Sequence, residues 1–320
     1  MKLRLAATLL AAAFALDALA QTPYPTRAVR VIVPSSPGGG TDIMARLIAP
    51  ALAERLGQPI VIDNRPGAGT LIGNELAAKS APDGYTLLMG LSTLAILPAM
   101  HKKMPYDALR DLAPITQTVT APNILVVHPS LPVKSVKEFI AFARARPGQL
   151  NFGSAGAGTN PHLSMELFRS MAKLDMVHVA YKGSAPAIAD LVAGHVVAMT
   201  ATMLTGLPHA RSGRLRALGT TGAQRIAAAP DIPTVAESGL PGYEAVQWYG
   251  LFAPAATPRE IVAKLHAATV AALHVPAVRQ RLEAEGVEPV GNSPEEFARL
   301  LRTETEKWAK VVREAGIKPE

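Results

Sequence analysis

The chain has 320 residues, 49% of them hydrophobic and 5% aromatic, with a formal net charge of +7 and no cysteine. The missing cysteines exclude disulfides, thiolate metal sites and Cys nucleophiles. Scarce aromatics, with Lys and Arg scattered among Asp and Glu, argue against a nucleic-acid platform and leave a weak positive field suited to small anions.

The first stretch, MKLRLAATLLAAAFALDALA, carries Lys2 and Arg4, an apolar core over Leu5–Leu16 and the small-residue close Ala18-Leu19-Ala20. This pattern predicts a secretory signal over residues 1–20, its core too short to span a bilayer, cleaved near Ala20. The exported chain then begins near Gln21 and carries +6, because Lys2, Arg4 and Asp17 leave with the signal. About three hundred residues exceed what one core usually serves, which predicts two lobes.

A strand is predicted at Val29–Val33, then the loop PSSPGGG and a helix from Thr41 with Ile43, Met44, Leu47, Ile48, Ala51 and Leu52 at a 3.6-residue period. Thr41 or Asp42 suits the N-cap and Gly57 the stop, while Pro50 predicts a kink or break. A strand at Ile60–Ile62, the loop NRPGAGT, a helix near residues 71–80, a PDG turn and a strand at Tyr85–Gly90 complete a βαβ series. Such a series implies a parallel sheet with helices on both faces. A second series starts near Asn123: NILVVHP, a helix opened by a Ser135–Glu138 capping box, QLNFGS, a Gly-rich loop, a helix from about His162, MVHVAY, and KGSAPAIADLVAG. VVAMTA and RLRALGTT read as further strands, GYEAVQWYGLFAPA as a connecting strand, and Pro258–Leu273, Ala277–Glu285 and Pro294–Ala315 as terminal helices.

Glycines gather where strands give way to helices. SPGGGTD and GSAGAGTNPH each set two or three Gly directly before a helix start, where unpaired N–H groups and the helix dipole favour an anion. A tight βα turn explains one such loop equally well; two of them, one per series, favour anion binding. RPGAGTLIG gives GxGxxxG without the downstream acid of a dinucleotide site. With sheet order 2-1-3, loops 34–42 and 90–94 face a cleft, with 64–70 beside it. NFGSAG lacks the first Gly of GxSxG, no HExxH or P-loop Lys occurs, and His162 with Glu166 lacks a third metal ligand. His162 therefore reads as a cleft-facing donor or a capping group. Tyr181 and Lys182 end a strand and Gly183–Ser184 lead into a helix; they either meet a ligand or form a packed Tyr beside a solvated Lys. Trp248 and Tyr249 either line a hinge or sit in the core.

YPTRAVRVIVPSSPGGGTDIMAR, DNRPGAGTLIGNELAAKSAPDGYTLL, LNFGSAGAGTNPHLSMELF, YKGSAPAIADLVAGHV, GRLRAL, IPTVAESGLPGYE and APAATP, in this order, resemble the Bug family of extracytoplasmic receptors for tripartite tricarboxylate transporters. The resemblance covers nearly all of residues 22–320. It implies an α/β type II periplasmic-binding-protein fold, two lobes with mostly parallel sheets flanked by helices and a ligand cleft between them. Lobe 1 is expected to comprise residues 21–121 and 223–320, lobe 2 residues 122–222. It also implies a periplasmic monomer that traps a small carboxylate with backbone amides, hydroxyls and waters and presents it to membrane subunits, without cofactor, metal or nucleic acid. By motif, Pro37, Gly38, Gly39, Gly40, Thr41, Ser92 and Thr93 serve the first lobe. Ser154, Ala155, Gly156, Gly158, Thr159, His162, Tyr181, Lys182 and Gly183 serve the second. Asp42 is expected to cap the helix, since a carboxylate aimed at an anion would repel it. Ala180 stands where the family usually has Pro, Val197 where it usually has the Asp of GxVD, and MTATM replaces a segment that often carries an acid. Without an evident acid to pair an ammonium, a mono- or dicarboxylate is expected over an amino acid. A ligand-sensing receptor or an exported enzyme on the same lobes are the alternatives. The enzyme would need a nucleophile–base pair or metal set that the motifs do not supply.

Overall fold

The structure is a computed structural model that describes residues 24–314 and residue 317. The expected signal, residues 1–20, lies outside the described residues. Strand β1 (Val29–Val33) is buried on both faces apart from half-buried Arg30, as its unbroken apolar run requires. Helix α1 (Gly40–Leu56) turns Met44, Ala45, Ile48, Ala51 and Leu52 to the core and stops at Gly57, whose left-handed conformation lets its N–H reach the Ala53 carbonyl. Contrary to expectation, Pro50 does not end α1. It lies on the exposed side, where water can take up the carbonyl that its missing N–H leaves free.

Strand β2 (Ile60–Asn64), helix α2 (Leu71–Ala78), strand β3 (Thr86–Leu91) and helix α3 (Thr93–Met100) follow, then the short helix α4 (Ala108–Asp111). Strand β4 runs from Leu112 to Val127, well ahead of its expected start at Asn123. Beyond it lie α5 (Val136–Arg144), β5 (Asn151–Ser154), α6 (Asn160–Ala172), β6 (Val177–Ala180), α7 (Ser184–Val192), β7 (Ala198–Thr202), α8 (Met203–Arg211) and β8 (Arg216–Thr220). The chain returns through β9 (Val246–Pro254), α9 (Arg259–Leu273), α10 (Pro276–Ala284), β10 (Glu288–Pro289) and α11 (Pro294–Glu314). Ser135 caps α5 as expected, although Glu138 reaches back to the N–H of Lys134, one residue before the cap.

Hydrogen bonding runs β2-β1-β3-β9-β4 in one half and β6-β5-β7-β4-β8 in the other. Each half thus opens with a parallel 2-1-3 arrangement and is closed by antiparallel strands. Strand β4 belongs to both: it pairs with β9 as far as Pro122, and with β7 and β8 from Asn123 onward. Two parallel sheets so ordered point the C-terminal ends of their first and third strands at one seam, where open α/β sheets bind ligands.

Candidate functional site

A cavity opens at that seam. Its walls include Pro34, Ser35, Gly40 and Thr41 after β1, Gly67, Gly69 and Thr70 after β2, and Leu91 at the end of β3. Facing them are Ala155, Thr159 and Pro161 after β5, Lys182, Gly183 and Ser184 after β6, Thr202 at the end of β7, and Gln247 and Tyr249 on β9. The first turns of α1, α6 and α7 and the Thr202 cap of α8 all reach this space, and none of the four carries a side-chain cap. Their first N–H groups, apart from Pro161 and Pro186, which have none, are therefore without side-chain acceptors, and four dipoles direct positive ends at this space. The walls contain no carboxylate, and their one charged residue is Lys182.

Side chains supplement the backbone. Ser35 Oγ, Gln247 Nε2 and Tyr249 Oη are buried atoms without a hydrogen-bond partner. The Tyr249 hydroxyl lies near Thr202 and Gln247, but neither contact has hydrogen-bond geometry; burial pushes its pKa far above the ordinary value, so it stays a neutral donor. The enclosed space is small, about 30 Å³. An organic acid enters only if the walls part. The halves touch across this space: a Cβ on Gly69 would stand 2.1 Å from the Ala157 carbonyl oxygen, and one on Gly183 2.3 Å from Ser36 Oγ.

Of the expected residues, Gly40, Thr41, Ala155, Thr159, Lys182 and Gly183 line the cavity. Pro37 and Gly38 lie on the exposed lip, and Gly39 is the N-cap of α1. Gly156 packs against Gly69, and Gly158 against Leu97 and Met100. Ser92 and Thr93 are fully buried behind the wall, where the Ser92 hydroxyl donates to Gln247 Oε1 at 2.8 Å. The Tyr181 hydroxyl donates to Asp190 instead of facing the cavity. Asp42 is not the N-cap of α1. It sits in the first turn, and its carboxylate accepts from the Gly38 N–H, Arg46 and Asn64. Burial alone would raise its pKa, but these hydrogen bonds and the Arg46 charge outweigh it and hold the carboxyl below its usual range. Thr202 and Gln247 were not among the expected site residues, and the 64–70 loop, expected beside the cleft, lines the cavity with Gly67, Gly69 and Thr70. Of the two readings open for Trp248 and Tyr249, Tyr249 lines the cavity and Trp248 packs with Phe252 and Phe297.

Of the two readings open for His162, donor or capping group, the hydrogen bond fits the second: its Nδ1 accepts the Gly158 N–H just ahead of α6 and braces the Gly-rich loop from behind. Its ring stacks on His178 at 4.0 Å, and His178 Nε2 is 2.6 Å from Ser154 Oγ. Glu166, four residues further along α6, lies 3.7 Å from His162 and is held by Arg169 at 2.7 Å. Burial, with the neighbouring positive charges, pushes His162 down to about 3 and His178 to about 4. Both lie below the ordinary 6.5, so the neutral pair supports the fold fully above pH 6.5, and this support is lost as pH falls from there toward 3. Denaturant melts should show stability falling between pH 7 and 5, by about 2 kcal/mol for His162 and less for the more exposed His178. Equal stability at the two pH values would contradict this placement.

Residues 44–317 match the family model described as "Tripartite tricarboxylate transporter family receptor". The chain is 40% identical over 297 residues to Protein BugT of Bordetella pertussis, covering 92% of this chain and 91% of that one. Among solved structures it superposes on R. palustris Rpa4515 with adipate at a TM-score of 0.90 and 39% identity, covering 93% of this chain and 100% of that one. It also superposes on MatC (Rpa3494) from Rhodopseudomonas palustris with bound malate at 0.87 and 36%, covering 90% and 100%.

Proposed function

The chain belongs to the tripartite tricarboxylate transporter receptor family, and from that premise we propose that it traps a small organic carboxylate in the cavity between its halves. The observation that carries this reading is the convergence of four uncapped helix N-termini on a space walled without a carboxylate. Backbone N–H groups so arranged hold an anion without a paired cation, and the absence of an acid disfavours the ammonium of an amino acid. Adipate and malate, bound by the two relatives named above, are the first acids to try.

The lobes in this reading are residues 21–121 with 223–320, and 122–222. The change of partner along β4 at Pro122–Asn123 supports the boundary, as does the hydrogen bond from the Thr221 N–H to the Asn123 carbonyl. Gly40, Thr41, Ala155, Thr159, Lys182 and Gly183 touch the ligand, and the other loop residues hold these in place. The protein works as a periplasmic monomer, released from its signal near Ala20, which closes on the acid and presents it to membrane subunits without altering it.

A thermal-shift screen against adipate, malate, tricarboxylates, aromatic acids and amino acids tests this. An acid at one hundred times its Kd should stabilise the fold by about 2.7 kcal/mol. If no acid raises the melting temperature after the protein has been unfolded and refolded to remove any carried ligand, the carboxylate reading fails.

A further inference from the structure

Gln247 enters the seam from β9 and is fully buried, with its backbone fixed in the ladder opposite Ala121. Its side-chain oxygen is occupied by the Ser92 hydroxyl, while its Nε2 is buried without a hydrogen-bond partner in a residue that lines the cavity, with the Tyr249 hydroxyl beside the amide. This amide orientation also satisfies Ser92. Ser92 makes no cap hydrogen bond to its own helix and is 0% exposed, so a flipped amide would strand its proton in the interior. Beside Gln247, Tyr249 brings a second unpartnered group, kept neutral by burial. The β9 wall therefore offers donors where a ligand atom must arrive, and a buried donor left unmatched is costly. A hydroxyl or an ammonium cannot meet such a wall as well as an oxygen that only accepts.

Resting on the carboxylate reading above, we propose that Gln247 is a ligand-selecting residue that donates to a carboxylate oxygen, and that Ser92 is its positioning residue. Ser92 acts through the amide and not on the ligand. Loss of its hydroxyl frees the Gln247 side chain to turn, and matters only while an amide is there to be held.

The test is titration calorimetry of the purified receptor with adipate and with malate, on wild type, Gln247→Leu, Gln247→Met, Gln247→Glu, Ser92→Ala and Ser92→Ala/Gln247→Leu, each with a melting curve. Leu and Met should weaken the better-bound acid about tenfold to hundredfold, as expected for losing a hydrogen bond to a charged group. Glu, which sets a carboxylate against the ligand's own, should weaken it further. Ser92→Ala should cost about threefold to tenfold alone and nothing more in the Leu background, the mark of a pair acting as one. Should all three Gln247 variants melt as folded proteins and bind within about twofold of wild type, the proposal is overturned while the receptor reading stands. Equal loss from Ser92→Ala in both backgrounds would overturn the positioning role. Should wild type bind neither, the same titrations are run with the acid that gives the largest shift in the thermal screen above; if no acid shifts it, both this proposal and the reading it rests on fall.

Discussion

Replacing Gly69 by Ala should abolish tight ligand binding while leaving the fold close to intact. Gly69 has φ 59° and ψ 32°, a left-handed conformation that Ala adopts at a cost of about 1–2 kcal/mol. Its added methyl, however, would stand 2.1 Å from the carbonyl oxygen of Ala157 in the opposite half. Backbone cannot rotate aside as a side chain can, so the halves must separate until ordinary contact distance is restored. Separation withdraws Ala155 and Thr159 from the ligand and lets water reach the donors on the first half. Gly57→Ala is the matching control. Gly57 has φ 70°, so the backbone cost is similar, but nothing lies within 4 Å of the site of its Cβ. Calorimetry should find Gly69→Ala weaker than wild type by about a hundredfold or more, equivalent to losing most of the closed population, and Gly57→Ala unchanged. Equal binding by the two variants would show that closure to this contact is not needed.

The second large effect is on stability. Asn160, the first residue of α6, is fully buried, and its amide joins three elements. Its oxygen accepts from Asn123 on β4 at 2.5 Å and from Ser164 at 3.1 Å, and its nitrogen donates to the Val246 carbonyl at the start of β9. Leu fills nearly the same volume but leaves the Val246 carbonyl and the Ser164 proton without this partner. At 1–3 kcal/mol for each buried group left unmatched, Asn160→Leu should lose about 3–5 kcal/mol. The melting temperature should fall by roughly 10 °C, given 2–4 °C per kcal/mol for a chain of this size class. A fall of less than about 2 °C would mean that the three elements are held together without this amide.

The parts of the fold legible in the sequence are those whose pattern is local. Val29–Val33, the 3.6-residue period through Met44, Ile48 and Leu52, and the stop at Gly57 identify the first βα unit without reference to the rest of the chain. Strand β4 is different. LAPITQTVT carries Pro114 and three Thr, and no clean alternation, because it is covered on both sides and its ladder to β9 is broken by register shifts after Pro114 and Gln117. Helix α8 was hidden by Gly206 and Pro208 within nine residues, and α3 by an apolar run with no polar face. The site divides in the same way. Gly40, Thr41, Ala155, Thr159 and Gly183 are visible as glycine-rich strand-to-helix turns. Gln247 and Tyr249 arrive on a strand that returns only after the whole second half has been built. No short-range signal links Gln247 to Ser92, 155 residues earlier.

Strand β9 also has a kinetic meaning. If the halves swing about the shared β4–β9 ladder, an atom's travel grows with its distance from that axis. Gln247 and Tyr249, on the axis itself, hardly move, whereas the tips around Ala157 and Gly183 sweep the farthest. The axial groups and the α1 turn can greet an acid while the jaws are still apart, and they set how often a collision becomes a capture. The distant tips touch it only at the end of the stroke, and they govern how long it stays. On such a hinge, substitutions on β9 would bear mainly on capture rate and substitutions at the tips mainly on residence time.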